Sequence, residues 1–339
     1  MNANELISTA RALVAPGKGV LAADESSGTI KKRLDTISVE STEENRRAYR
    51  DLLFTAPGVE SFISGVILFD ETIRQSTRER EPFPQVLADR GIIPGIKVDK
   101  STVPLPGSPQ EKLTQGLDGL GPRLEEYYDM GARFTKWRAV ITIGDGIPTQ
   151  YCIDANAQLL ALFAAYSQQA GLVPIVEPEV LMDGDHSIER CEAVTAATLE
   201  SVYHYLFQAQ VLLEGTLLKP NMVVSGKGHR HQADEEEVAE ATVRTLLRAV
   251  PAAVPGIVFL SGGQSPEEAT ANLSAINRLG PLPWELSFSY GRALQEYSLK
   301  AWRGDQANVS QAQQILAQRA RFNSLARTGK YTPDMETAR

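Results

Sequence analysis

Cysteine is scarce: Cys152 and Cys191 are the two thiols in 339 residues. Two thiols cannot form a disulfide framework, and a chain of this length can build a large core without one, so a reducing compartment fits. Histidine is scarce as well, at His186, His204, His229 and His231. No two stand four apart as in the helical zinc motif, and Cys-x-x-Cys is missing, so no metal is expected. His229-Arg230-His231 reads as part of a polar loop. There is no P-loop and no complete Gly-x-Gly-x-x-Gly, and no cofactor is expected. Nor is there a basic excess: 34 Lys and Arg against 42 Asp and Glu leave a charge of −8, which argues against nucleic acid as a principal partner. No apolar run approaches the roughly 20 residues of a membrane span. The opening MNANELISTAR is polar where a secretory signal is apolar. A cytoplasmic protein without a membrane partner is the expectation, and the sequons at Asn272 and Asn308 then carry no weight.

What is present is alternation. Short β-branched runs at 18–23, 63–69, 92–98, 134–142, 173–178, 215–220, 256–260 and 284–289 read as eight strands. Amphipathic stretches at 43–56, 110–130, 153–170, 188–213, 233–250 and 264–279 read as helices between them. Residues 41–44 (STEE) resemble a capping box, and Pro266 with Glu267 and Glu268 suits a helix's first turn. Strands alternating with helices predict a parallel sheet with right-handed crossovers, and eight such units fit an α/β (β/α)₈ TIM barrel better than an open sheet. Length alone, at about 150 residues per domain, would allow two α/β domains. The preferred reading is one domain over 1–339, with an N-terminal helix, a C-terminal helix at 308–327 and a polar tail. The Pro-rich stretch 103–109 reads as a loop; no internal repeat or low-complexity segment interrupts the pattern.

In a barrel the chemistry lies where strands end and βα loops begin, and those ends are polar here. The first strand leads to Asp24, the third carries Lys97, and the fourth carries Lys136 and Arg138. The fifth ends Glu177-Pro178-Glu179, and the sixth ends Leu218-Lys219-Pro220. Side chains alternate along a strand, so Lys136 shares a face with Arg138, and Glu177 with Glu179. Facing inward, these lysines and carboxylates would meet at one mouth, where buried charges need partners. Amine nucleophiles and proton transfer require such a mixed cluster: desolvation and cationic neighbours activate a lysine. Lys219, among Leu217, Leu218 and Pro220, has the apolar setting, and Lys136 could supply the neighbouring charge. The plainer reading is that a strand-end lysine is solvated and that the carboxylates pair structurally with Lys136 and Arg138. The joint pattern across several strands favours an enzyme.

The last two strands run into Ser261-Gly262-Gly263 and Ser289-Tyr290-Gly291-Arg292, where barrels often hold a phosphate. Backbone N–H groups at such glycines approach an anion closely, a following helix adds its dipole, and Arg292 adds a charged fork. A second basic group, Lys31, Lys32 and Arg33, follows a turn at 26–29; Lys31 and Lys32 read as a solvated helix face. Two anion sites on opposite sides of one mouth imply a substrate with a phosphate at each end.

The runs LAADESSGTIKKRL (21–34), STEENRRAYRDLLFTAPG (41–58), GVILFDETIRQ (65–75), GIKVDK (95–100) and FTKWRAV (134–140) resemble class I fructose-1,6-bisphosphate aldolase. PIVEPEVL (174–181), LLKPNMVVSG (217–226), FLSGGQSPEEAT (259–270) and SFSYGRALQ (287–295) continue the resemblance in order, from about residue 5 to 333. It implies a (β/α)₈ barrel, a homotetramer, a phosphorylated sugar substrate and a lysine Schiff base without metal. By motif it makes Lys219 the imine-forming residue, Glu177 the acid and base for dehydration, and Asp24 the acceptor of the C4 hydroxyl proton. Lys136 would assist electrostatically, with Arg138 and Glu179 around it. Ser261, Gly262, Gly263, Ser289, Gly291 and Arg292 match the phosphate site at the dihydroxyacetone-phosphate end, and Ser26, Thr29, Arg33 and Lys97 the other. Thr29 stands where many relatives carry serine. Animal members close with a tyrosine that aids proton exchange; here the chain passes Tyr331 and ends Thr337-Ala338-Arg339, so Tyr331 is not given that role. A broader aldolase also taking sedoheptulose 1,7-bisphosphate, or scaffold use of the same fold, are the alternatives.

Overall fold

The computed structural model describes residues 2–337. The chain begins α1 (Ala3–Leu13), β1 (Gly19–Ala22), α2 (Ser27–Asp35), α3 (Glu43–Phe54), β2 (Ile63–Leu68), α4 (Asp70–Ile73), α5 (Phe83–Asp89) and β3 (Ile93–Lys97). It continues β4 (Ser101–Leu105), β5 (Ser108–Gln115), α6 (Leu120–Asp129), β6 (Phe134–Ile141), α7 (Gln150–Gln169), β7 (Val173–Val180), α8 (Ile188–Gln208) and β8 (Leu217–Leu218). It closes α9 (Glu235–Ala249), β9 (Gly256–Phe259), α10 (Pro266–Arg278), β10 (Glu285–Tyr290), α11 (Arg292–Trp302) and α12 (Val309–Ala326). Eight strands close into a parallel barrel in the order β1-β10-β9-β8-β7-β6-β3-β2. The eight strands read from the sequence are these eight. Parallel strands buried on both faces need continuous apolar runs, which is why they were legible.

The interior is filled rather than hollow. Leu6, Ala10, Leu13 and Val14, from α1 and the turn after it, join Val20, Ile67, Phe134, Ile175, Leu217 and Val258 in one inner cluster, so α1 plugs the N-terminal end. The plug demands a bare backbone beside it: a Cβ at Gly65 would stand 2.6 Å from Leu13 Cδ2 and 3.1 Å from Phe134 Cε1. The other face of the sheet packs against the helices, as where Trp137 of β6 meets Phe163 of α7 at 5.6 Å between ring centres.

Four expectations change in the structure. Residues 103–109 are no loop, and 110–119 no helix: β4 and β5 form an antiparallel hairpin. Ser108, Glu111 and Thr114 are buried every third residue, a spacing that imitates a helix, while the backbone is extended. Pro104 is tolerated because a two-stranded ribbon is all edge. α6 begins only after Gly119, whose φ of +67° breaks the chain direction. Residues 26–29 open α2 instead of forming a free turn. The cap of α3 is Thr42, which accepts from the Asn45 N–H, and not a reciprocal box; full boxes fall at Asp234 with Glu237 and at Ser265 with Glu268, the latter with Pro266 at N1. The polar tail is docked through Glu336: Tyr331 is buried, its hydroxyl donates to Glu336 at 2.9 Å, and Glu336 pairs with Arg319. Its positions 338 and 339 lie outside the described residues. Among the described residues no helix is long and apolar enough to cross a membrane.

Candidate active site

The pairing of β6 with β7 sets Arg138 opposite Glu177 and Val140 opposite Glu179. Alternation then turns Lys136, Arg138, Glu177 and Glu179 into the barrel while Trp137 points out. β8 is short because Pro220 has no N–H to continue the ladder, but Lys219 is still tied to β7 by its N–H to the Val176 carbonyl at 2.8 Å. The result is a chain of alternating charge across the mouth. Lys219 Nζ lies 3.1 Å from Glu177 Oε1, and Glu177 Oε2 lies 3.1 Å from Lys136 Nζ. Lys136 Nζ lies 2.6 Å from Asp24 Oδ2. The Lys219, Glu177 and Lys136 side chains are each 4% exposed, and Asp24, at the open end, 12%.

The electrostatics follow from that order. Burial alone would raise the Asp24 carboxyl, but Lys136 and then Lys219 outweigh it and hold the group well below the usual carboxylate range. Burial opposes ionisation of Glu177 too; Lys136, Lys219 and Arg138 overcome both burial and the repulsion of Asp24, and it also lies low. For Lys136, burial disfavours the charge, while Asp24, Glu177 and Asp99 restore it and keep the ammonium protonated far above neutrality. Glu177 Oε2 is near Lys136 yet buried without a well-directed hydrogen bond, so this carboxylate is held by charge and is left with proton-accepting capacity. The group touching Lys219 is this carboxylate; Lys136 stands on its far side.

Beside the chain, Arg138 pairs with Glu179, and Lys97 with Asp99 at 2.7 Å. Asp99 was not singled out in the sequence, although it lies in the GIKVDK run two residues beyond Lys97. It also accepts from the Arg138 N–H at 3.3 Å, so one carboxylate braces β3 against β6.

The loops after β9 and β10 form the second element of the site. Gly262 has φ +55°, which favours glycine, and its carbonyl accepts from the Arg292 guanidinium. The Gly263 N–H reaches only a sulfur, Met182 Sδ at 3.2 Å, a weak acceptor that a phosphate oxygen would displace. Ser261 and Ser289 are buried, and Ser289 Oγ has no hydrogen-bond partner. Gly291 is the N-cap of α11, whose first N–H groups lack intrahelical partners.

Arg33 and Arg292, read from the sequence as parts of two anion sites, line one cavity of about 370 Å³ with Glu25, Tyr49, Glu296 and Lys300. β1 and β10 are neighbours where the barrel closes, so α2 and α11 meet. Burial first, and then the charge of Arg292, lowers the Arg33 guanidinium, while Glu25 and Glu296 oppose the shift. Ser26 and Thr29, a turn earlier, are within 3.2 Å of each other through their hydroxyls. Lys97, on β3, is left as the basic group opposite β9. Lys31 pairs with Asp35 at 2.8 Å on the exposed face of α2, as read.

A closed parallel barrel with buried lysines and carboxylates chained across the C-terminal mouth, and anion-ready loops after its last two strands, defines a barrel lyase of the lysine-imine type. The sequence model of the family described as "Fructose-bisphosphate aldolase class-I" matches residues 5–339. The chain belongs to the class I fructose-bisphosphate aldolase family, enzymes that cleave fructose 1,6-bisphosphate reversibly through a Schiff base. It is 59% identical to a Xanthomonas campestris protein named "Probable fructose-bisphosphate aldolase class 1", over 98% of this chain and 99% of that one. It is 57% identical to "Fructose-bisphosphate aldolase 5, cytosolic" of Arabidopsis thaliana, over 97% of this chain and 92% of the other. The fold superposes with a TM-score of 0.96 on fructose-bisphosphate aldolase from Plasmodium falciparum, crystallised with TRAP and a small-molecule inhibitor, at 55% identity over 97% and 96% of the two chains.

Proposed function

We propose that this chain cleaves fructose 1,6-bisphosphate with Lys219 as the imine-forming amine and the chain of charges from Glu177 to Asp24 as its proton machinery. The observation that carries this reading is the Glu177 carboxylate held between two buried ammonium groups, 3.1 Å from each. Attack on the C2 ketone needs Lys219 without its proton, and Glu177 is the adjacent acceptor. The same group, once protonated, returns the proton to the departing C2 oxygen, which leaves as water and yields the iminium. The iminium then draws the electron pair of the C3–C4 bond as it breaks, while Asp24 takes the C4 hydroxyl proton, and glyceraldehyde 3-phosphate departs. Lys136 stays charged throughout and keeps Asp24 ionised for that step. Protonation of the enamine and hydrolysis of the imine release dihydroxyacetone phosphate and free Lys219.

The loops at Ser261, Gly262, Gly263, Ser289, Gly291 and Arg292 suit the phosphate beside the ketone, with Arg33 close enough to share it. Lys97, with Ser26 and Thr29, suits the other phosphate. Borohydride trapping with fructose 1,6-bisphosphate in EDTA, followed by peptide mapping, is expected to mark Lys219. No adduct, with activity lost in EDTA, overturns the assignment.

A homotetramer in the cytoplasm completes the proposal. Tyr151, Leu162 and Tyr166 of α7, Phe207 of α8 at 82% exposure and Leu247 of α9 are large exposed apolar groups on three successive, mutually packed helices. Light scattering is expected to return the mass of four chains; a monomer at micromolar concentration rejects it.

A further inference from the structure

Lys227 is a cation at the mouth that the proposed reaction does not use. Lys227 follows β8 by nine residues, in a loop zipped to the one after β7: its N–H donates to the Met182 carbonyl at 2.8 Å, and those of Gly226 and Gly228 to His186 and Gly184 at 2.8 and 2.7 Å. Its backbone is thus fixed while its side chain is not. The ammonium lies over the Gly262–Gly263 turn, where a Cβ on Gly263 would collide with Lys227 Nζ and stand 3.0 Å from Met182 Sδ. Its counter-ion is Asp183 at 3.6 Å, with the two side chains 47% and 69% exposed. So loose and solvated a pair is worth little, and the ammonium can leave it cheaply.

We propose that Lys227 is a further phosphate-binding residue of the site, its ammonium turning from Asp183 onto the phosphate that the Ser261-Gly262-Gly263 loop receives. This rests on the reading that this loop holds the phosphate next to the ketone. Two features of the adjoining loops after β9 and β10 point to an anion, and a third concerns the nearest arginine. The Gly263 N–H has only a sulfur for acceptor, Ser289 Oγ is buried without a partner, and Arg292 is occupied by the Gly262 carbonyl. A solvated cation above that turn adds a charge to the Gly263 N–H and the Ser289 hydroxyl. It also accounts for Gly263: any side chain there would push the ammonium off.

The consequence is selective. Lys227 binds one end of the substrate and does not touch the reacting carbons, so its loss is expected to weaken binding and spare chemistry. In Lys227→Met the half-saturating dihydroxyacetone phosphate for borohydride trapping should rise about five- to tenfold, the scale of one partly solvated charge-assisted hydrogen bond. KM for fructose 1,6-bisphosphate should rise likewise, with kcat within about twofold and KM for glyceraldehyde 3-phosphate unchanged. Lys227→Arg should stay close to the unsubstituted protein. Unchanged half-saturation for dihydroxyacetone phosphate in Lys227→Met overturns the inference, as does a fall in kcat with KM retained. Should the unsubstituted protein give no adduct, the imine reading itself fails, and this inference with it.

Discussion

Lys219→Met is expected to abolish cleavage, lowering kcat by about four orders of magnitude or more, because the covalent route has no second amine in position. Methionine keeps the unbranched stem and the apolar volume between Leu218 and Pro220, and Glu177 retains Lys136 as its cation. Folding should survive, read by an unchanged far-UV spectrum and a thermal midpoint close to that of the unsubstituted protein. Borohydride with either substrate should then trap nothing. The outcome that sinks the assignment is an adduct on another lysine at an undiminished rate, with Lys136 and Lys97 the ones to inspect.

Lys136→Met tests the electrostatic core and should strike stability and rate together. Lys136 sits between Asp24 at 2.6 Å and Glu177 at 3.1 Å, nearly sealed from water. Its removal leaves two buried carboxylates short of a cation, a loss of about 3–5 kcal/mol at neutral pH. The pH dependence follows from the directions of the shifts. Asp24 and Glu177 titrate below their ordinary values in the folded protein, so their contribution is present above the unfolded value, near pH 4, and fades as the pH falls through the depressed folded values. Lys136 is raised, so its own contribution disappears only far above neutrality. The deficit of Lys136→Met is therefore expected to be full at pH 7 and to shrink on acidification, since the unsubstituted protein is then losing the same interaction. Urea midpoints from pH 3 to 8 measure this, and a deficit constant over that range refutes it. Cleavage should fall by about two orders of magnitude or more, because Asp24 is no longer held ionised for the C4 proton.

How much was legible depends on range along the chain. Parallel strands that are buried on both sides announce themselves in consecutive residues, and so did every barrel strand. The lysines and carboxylates at their ends were visible for the same reason: in a run such as FTKWRAV, a charge has no business in the interior unless it is used. The β4–β5 hairpin was not legible, because burial at 108, 111 and 114 follows a helical spacing that only the pairing with 101–105 contradicts. Asp99 gives little signal in the sequence because its bracing contact, the Arg138 backbone N–H, meets it only after β3 lies beside β6.

By itself, then, the order of residues determined the barrel, the polar strand ends and, through a resemblance carried by nine motifs, the chemistry to expect. Tertiary structure decided which charges touch. Glu177 rather than Lys136 is the group against Lys219, Arg33 lies with Arg292 where β1 meets β10, and Lys227 lies over Gly263. The physical reason is that a strand's apolar content is set by its own burial, whereas an ion pair across the mouth depends on closure of a ring. Which carboxylate ends three ångströms from which amine is a property of register and closure, and neither is written in any one segment.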